Sequence, residues 1–68
     1  NNLSIENILI NLYSKFGELE SAIEIFNDTE SKDVILYTSM IKAHSDRGNI
    51  NESFSLLHQM LINEIKPN

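Results

Sequence analysis

The sequence predicts an all-α fold, a short solenoid of two helix-turn-helix hairpins made from four helices. Apolar residues recur at spacings of three and four along most of the chain, which is the period of an amphipathic helix. Two glycines, Gly17 and Gly48, interrupt this pattern 31 residues apart. The same shift of 31 places apolar residues on apolar residues at Leu9/Met40, Leu19/Ile50, Ile23/Phe54, Ile25/Leu56 and Phe26/Leu57. A period of this length is typical of repeat arrays, in which each unit has an apolar face that its neighbour buries.

The first predicted helix runs from about residue 4 to residue 16. Ser4 is a suitable N-cap, and Gly17 supplies the left-handed residue that commonly ends a helix. The inward stripe of this helix is expected to contain Ile5, Ile8, Leu9, Leu12 and Phe16.

The second predicted helix covers about residues 18–29. Glu18 and Glu20 are expected in its first turn, where carboxylates meet the positive end of the helix dipole. Its stripe is Leu19, Ala22, Ile23 and Phe26, with Ala22 facing the partner helix because a small side chain allows close approach. A link this short between two helices predicts an antiparallel hairpin.

The second hairpin repeats this plan after a polar connection at 29–33. Its first helix is predicted at about 36–47, with Gly48 as its stop, and its second at about 51–63, with Pro67 preventing further extension. The expected inward residues are Tyr37, Met40, Ile41 and His44, followed by Ile50, Phe54, Leu57 and Leu61.

Composition narrows the function. The chain has no cysteine and two histidines, so the sequence predicts no thiolate or closed zinc site, and His44 is expected to be a hydrogen-bonded core residue. No nucleophile–base arrangement or glycine-rich phosphate loop is present, which predicts no enzyme, cofactor or small-molecule substrate. No apolar run approaches the roughly 20 residues that span a bilayer, so no membrane contact is expected.

The net charge of −5 argues against a nucleic-acid partner when the chain is taken as a whole. The charge is unevenly distributed, since six of the ten acidic residues lie between positions 18 and 33. We interpret that run as a solvated outer face of the second helix.

Asn7 and Thr38 occupy equivalent positions in the two hairpins, each in the first turn of a first helix. If the hairpins stack in one direction, these side chains form a polar ladder along a common open surface, where they could meet consecutive bases. The alternative is that Asn7 and Thr38 only help to complete the N-termini of their helices.

The run from Asn7 to Ala22 (NILINLYSKFGELESA), followed by Phe26, resembles the pentatricopeptide repeat. Tyr37-Thr38-Ser39-Met40-Ile41, Gly48 and the tail Lys66-Pro67-Asn68 carry the same resemblance. The repeats would be residues 3–33 and residues 34–68, a short unit followed by one of standard length. This order is similar to the PLS subclass of the family.

The resemblance implies a right-handed α-solenoid that binds single-stranded RNA, one base per repeat. In the family, a residue in the first turn of each first helix reads the base together with the last residue of the same repeat. Here these pairs would be Asn7 with Asp33 and Thr38 with Asn68, which by family analogy read U and then A. Ile35 would sandwich a base, whereas Ser4 stands at the equivalent position of the first repeat.

Further implications concern the phosphates and the parent protein. Lys15 matches a basic residue that contacts phosphate in the family, and Asp46 stands at the equivalent position of the second repeat, where it would repel the RNA backbone. The resemblance implies flanking repeats in a longer RNA-processing or RNA-stabilising protein of the mitochondrion or plastid.

Two other functions fit a helical-hairpin array. One is a peptide-binding scaffold of the tetratricopeptide type, which the repeat lengths of 31 and 35 and the lack of tryptophan disfavour. The other is a structural subunit of an organellar ribonucleoprotein, in which Asn7 and Thr38 read no base.

Overall fold

The computed structural model describes residues 4–63, and these form four α-helices without a strand. The helices are α1 (Ile5–Lys15), α2 (Leu19–Asp28), α3 (Val34–Asp46) and α4 (Ile50–Ile62). Helices α1 and α2 form one hairpin and α3 and α4 form the other, and α3 also packs against both helices of the first hairpin. The predicted all-α arrangement of two stacked hairpins is confirmed. None of the described helices is long and apolar enough to cross a membrane.

The two hairpins turn in the same way at their glycines. Gly17 and Gly48 each have a φ of 79°, in the left-handed region that glycine adopts without strain. The amide of the residue after each glycine donates to a carbonyl five residues earlier, Glu18 N to Tyr13 O at 2.7 Å and Asn49 N to His44 O at 2.8 Å. This is the Schellman arrangement, which satisfies carbonyls that a helix C-terminus leaves unpaired.

The first helices begin at side-chain caps. Ser4 Oγ accepts from Asn7 N at 3.2 Å, as its predicted role requires, and Asp33 Oδ1 accepts from Leu36 N at 2.8 Å. Because Asp33 is the cap, α3 begins at Val34, two residues before the predicted start. Helix α2 begins at Leu19, so Glu18 occupies the cap position and not the first turn.

The core lies where α3 meets the other three helices. Phe26 of α2 and Tyr37 of α3 are both buried, and their rings meet edge to face with centroids 5.2 Å apart. The buried apolar residues of the described chain are Ile10, Leu19, Ala22, Phe26, Leu36, Tyr37, Met40, Ala43 and Leu56. Ala22 is fully buried, as predicted from its size.

The predicted inward stripes of α1 and α4 are largely wrong. Most of their members are exposed, namely Ile5, Ile8, Leu12, Phe16, Ile50, Phe54, Leu57 and Leu61. The buried positions on these helices are Asn7, Ile10, Ser53 and Leu56. Each hairpin has a second apolar face, and in α1 and α4 this face points away from the other hairpin. Periodicity finds apolar faces but does not say which neighbour buries them.

We expect Gly17→Ala to lower the free energy of unfolding by about 1 kcal/mol, because an alanine at this φ is strained. A Cβ at this position would meet no atom within 4 Å, so the loss comes from backbone strain and not from a clash. Urea denaturation followed by circular dichroism measures it. Gly17→Asn should lose less, since asparagine tolerates the left-handed region; an equal loss in both variants would contradict the strain account.

Candidate nucleic-acid interface

The position of Asn7 differs from the sequence prediction. Its side chain was expected on an open surface, but the residue is only 1% exposed, so that expectation is wrong for this residue. Thr38, at the equivalent position of the second hairpin, is exposed. No described hairpin follows the second one, and Thr38 is open there. The burial of Asn7 therefore comes from the second hairpin, which packs on the first, and not from its own hairpin.

The Oδ1 atom of Asn7 is buried and has no hydrogen-bond partner among the described residues. Buried polar atoms in proteins are nearly always paired, and an unpaired one requires an explanation. A carboxamide oxygen of this kind gains a full hydrogen bond from any donor that reaches it.

Three of the predicted site residues meet at the start of α3. Asp33 caps the helix, Ile35 is half exposed in its first turn, and Thr38 follows three residues later on the same side. One carboxylate oxygen of Asp33 is used by the cap. Asp33 itself remains exposed and lines a groove of about 650 Å³. Glu6, Asp28 and Glu30 also line this groove, so it is acidic. The fourth predicted base-reading residue, Asn68, lies outside the described residues.

A basic cleft of about 250 Å³ lies between the C-terminal halves of α1 and α3. Lys15, Lys42 and Arg47 line it, together with the carboxylate of Asp46. Arg47 Nη1 donates to Gly17 O at 3.3 Å and so ties the second hairpin to the turn of the first. The predicted phosphate-contact residue Lys15 is therefore one of three cations in a shared cleft.

Asp46 does not act as an isolated negative charge in this cleft. Its Oδ2 accepts from Lys42 Nζ at 3.1 Å, one helical turn earlier. Both side chains are well exposed, so the pair adds little to stability, but it offsets the repulsion expected from Asp46. The two remaining cations, Lys15 and Arg47, leave the cleft net positive.

Sequence reasoning assigned no role to Lys42 and Arg47. The spacing of Lys42 four residues before Asp46 was the available signal for an intrahelical ion pair. Nothing in the local pattern places Arg47 beside Lys15, because that proximity depends on how the hairpins stack.

The other described acidic residues lie outside this cleft. Glu18, Glu20 and Glu52 line a groove of about 720 Å³ between α2 and α4, which Arg47 also borders, and the charged side chains of α2 are exposed. The prediction of a solvated acidic face on the second helix is confirmed. The net charge of −5 thus comes mainly from the second helices, while the cleft between the first helices is basic.

His44 lies at the inner wall of the α2/α4 groove and is buried. Its Nδ1 is 3.4 Å from Asn49 Nδ2, across the turn that follows α3. This confirms the prediction of a hydrogen-bonded core histidine. Within residues 4–63, no three His, Cys, Asp or Glu side chains converge on a position that could hold a metal ion.

Comparison with known proteins gives one consistent family. The family model described as PPR repeat matches the chain twice, at residues 7–34 and 35–65. Its two units begin later than the predicted repeats 3–33 and 34–68, whose boundaries stay predictions. The match favours the pentatricopeptide family over the tetratricopeptide alternative. No solved structure matches the chain.

Relatives of the chain include pentatricopeptide repeat-containing proteins of Arabidopsis thaliana. One is 40% identical over 63 residues, which is 93% of this chain and 9% of that protein. Another, whose name marks it as mitochondrial, is 37% identical over 60 residues, or 88% of this chain and 9% of that protein. A third, named as chloroplastic, is 36% identical over 63 residues, or 93% of this chain and 8% of that protein.

The chain spans about a tenth of the length of these relatives. The structure contains two helical hairpins related by a shift of 31 residues, and the same repeat model matches both. These findings agree with the resemblance found in the sequence. The chain belongs to the pentatricopeptide repeat family.

Proposed function

We propose that this chain binds single-stranded RNA along the side formed by α1 and α3, one base per repeat, as part of a longer array. The observation that carries the proposal is the difference in charge between the cleft of the first helices and the groove of the second helices. The cleft between the first helices has Lys15, Lys42 and Arg47 on its walls, whereas the groove between the second helices is acidic. A polyanion is therefore attracted to the basic cleft and repelled from the acidic groove between the second helices.

The phosphate contact is assigned to the basic cleft, with Lys15 and Arg47 as its principal cations. Lys42 is shared with Asp46 and contributes less. Phosphate contacts fix the position of the strand and carry no sequence information, so base choice must come from other residues.

Base choice is assigned to Asn7 with Asp33 in the first repeat and to Thr38 with Asn68 in the second. An asparagine amide both donates and accepts, as the edge of uracil requires, and a hydroxyl with an amide can serve the acceptor and amino group of adenine. Ile35 is half exposed beside Thr38 and offers an apolar surface to a base. The fragment would therefore select U followed by A.

Base reading by Asn7 requires the first helices to separate far enough to admit the edge of a base. The unpartnered Oδ1 of Asn7 supports this step, because a base donor that reaches it satisfies an atom that is otherwise buried and unpaired. Thr38 needs no such movement, since it is already exposed.

The parent protein is proposed to contain further repeats on both sides of this pair and to act on RNA in the mitochondrion or plastid. The support is the much greater length of the relatives and the organelle named in two of them. Imaging the fluorescently tagged full-length parent tests the location, and a signal confined to the cytosol would contradict it.

We expect base selectivity when the two repeats are placed in a neutral array of the same family. Binding should be tightest to strands with U at the first and A at the second facing position. Each wrong base should cost about 1–3 kcal/mol, because it leaves polar groups unpaired. Asn68→Asp should change the preference at the second position alone. Equal binding of all bases would favour a scaffold role instead.

Asp33 requires variants that separate base reading from helix capping. Asp33→Asn retains an acceptor for Leu36 N and should keep thermal stability while changing the base preferred at the first position. Asp33→Ala removes the cap as well and should also lower stability by about 1 kcal/mol. A base preference that is unaltered in Asp33→Asn would exclude Asp33 from reading.

We expect Lys15→Gln to weaken RNA binding by a similar factor for all sequences and to reduce the dependence of affinity on salt by about one counterion. Titrations in the same array at several salt concentrations measure both quantities. Lys32→Gln is the matched control, because Lys32 Nζ binds Thr29 O at 2.8 Å, outside the basic cleft. Equal effects of the two variants would contradict the assignment.

A further inference from the structure

We propose that the groove between α2 and α4 binds an extended segment of a partner protein that is rich in lysine or arginine. The cationic side chains meet carboxylates at one end of the groove, and the peptide backbone meets amide side chains at the other end. This inference goes beyond RNA binding and does not depend on it, because it rests on none of the residues assigned to phosphates or bases.

The groove exists because α2 and α4 share a support without touching each other. Both helices pack on α3, and among the described residues no contact joins α2 to α4. Met40 and His44 of α3 line the groove between them. The walls and the floor all belong to this chain, so the groove is not an end face that a flanking repeat covers.

Three carboxylates at the amino ends of α2 and α4 have no bound cation. Glu18, Glu20 and Glu52 are exposed and line this end of the groove. The one ion pair within residues 4–63 joins Lys42 to Asp46, outside the groove. Opposite charges within a few ångströms attract, so this end of the groove favours a cationic side chain.

Two positive contributions reduce this negative charge without cancelling it. Arg47 borders the same end of the groove, where its Nη1 donates to Gly17 O. The amino ends of α2 and α4 each supply about half of an elementary charge. The guanidinium and the two helix ends thus offset about two of the three carboxylates, and the rim stays negative.

The other end of the groove is polar and neutral. Asn27 near the carboxyl end of α2 and Gln59 of α4 are exposed and line it, together with Ser55. A carboxamide both donates and accepts, which suits the N–H and C=O groups of an extended peptide. A metal ion or a polyamine offers no such groups, so the lining favours a peptide over a simple cation.

The size and the floor of the groove suit a few extended residues. Its volume is about 720 Å³. The ten residues of α2 make a wall about 15 Å long, which is the span of about four or five residues of extended chain. Ile23 is half-buried in the groove. The aliphatic part of a lysine or arginine side chain packs on such a surface while its charged end remains in water.

NMR titration of the 68-residue chain with a blocked hexapeptide, Arg-Lys-Arg-Ser-Gly-Ser, tests the proposal. At low ionic strength the backbone amide signals of Ile23, Glu52 and Gln59 should shift and saturate. A hexapeptide with Glu-Asp-Glu in place of the three cationic residues should cause no shift. The proposal is overturned if the cationic peptide causes no saturable shift at millimolar concentration, or if the acidic peptide binds equally well.

Spermidine separates peptide recognition from attraction to an acidic protein, since it has three positive charges and no peptide backbone. The peptide should bind at least about threefold more tightly than spermidine, because only the peptide pairs with Asn27 and Gln59. Asn27→Ala combined with Gln59→Ala should remove this difference. Equal affinity of the two ligands for the wild-type chain would overturn the assignment of a peptide.

Glu20→Gln and Glu52→Gln should each weaken peptide binding about threefold, and together about tenfold, as expected for exposed ion pairs at separate positions. Glu24→Gln is the matched control, because Glu24 is exposed on the same helix but does not line the groove. All three sites are exposed, so circular dichroism should show the same helix content. An equal loss in Glu24→Gln would attribute binding to net charge alone and would overturn the proposed site.

The same spectra distinguish this proposal from RNA binding. A single-stranded RNA oligonucleotide should shift the signals of Lys15 and Lys42 and leave those of Ile23 and Gln59 in place. A chain that binds the peptide but not RNA would retain the groove as a site and contradict only the proposed function. RNA-induced shifts at Ile23 and Gln59 that the peptide reverses would show RNA in the groove and overturn the assignment of a peptide.

Discussion

Helix α3 is the one described helix that contacts all three others. Its packing against the first hairpin is the constraint on which the rest of the structure depends. Phe26 and Tyr37 meet edge to face in this interface, and Met40 is buried beside them. Arg47 adds a hydrogen bond to the turn of the first hairpin. Because α4 packs only on α3, the position of the whole second hairpin follows from this one contact.

The same contact determines which side chains of the first helices are accessible. It brings Lys15 and Arg47 to one cleft, and it covers Asn7 while Thr38 remains open. The proposed phosphate cleft and the proposed base-reading positions therefore depend on the spacing between neighbouring hairpins. A small separation of the first helices would change access to Asn7 without altering either hairpin.

The contact also explains the exposed apolar residues. Repeat proteins bury a continuous core by stacking, so each unit must carry one face for its predecessor and another for its successor. Ile5 and Leu12 belong to the first kind of face and Ile50 to the second. In an isolated globular domain of this size, such exposed apolar residues would favour aggregation. In a repeat array they form the contact surfaces between neighbouring units.

The sequence by itself determined the helices, the turns at Gly17 and Gly48, the cap at Ser4 and the family, because these depend on local periodicity, backbone sterics and short motifs. The sequence placed the start of α3 two residues too late. Asp33 has the pattern of the polar connection, whereas in the structure it caps the helix. Only the tertiary structure decided that Asn7 is buried, that the apolar stripes of α1 and α4 are exposed, and that Arg47 joins Lys15. Each of these outcomes depends on which neighbouring helix covers a face. The spacing of apolar residues along one helix does not identify that neighbour.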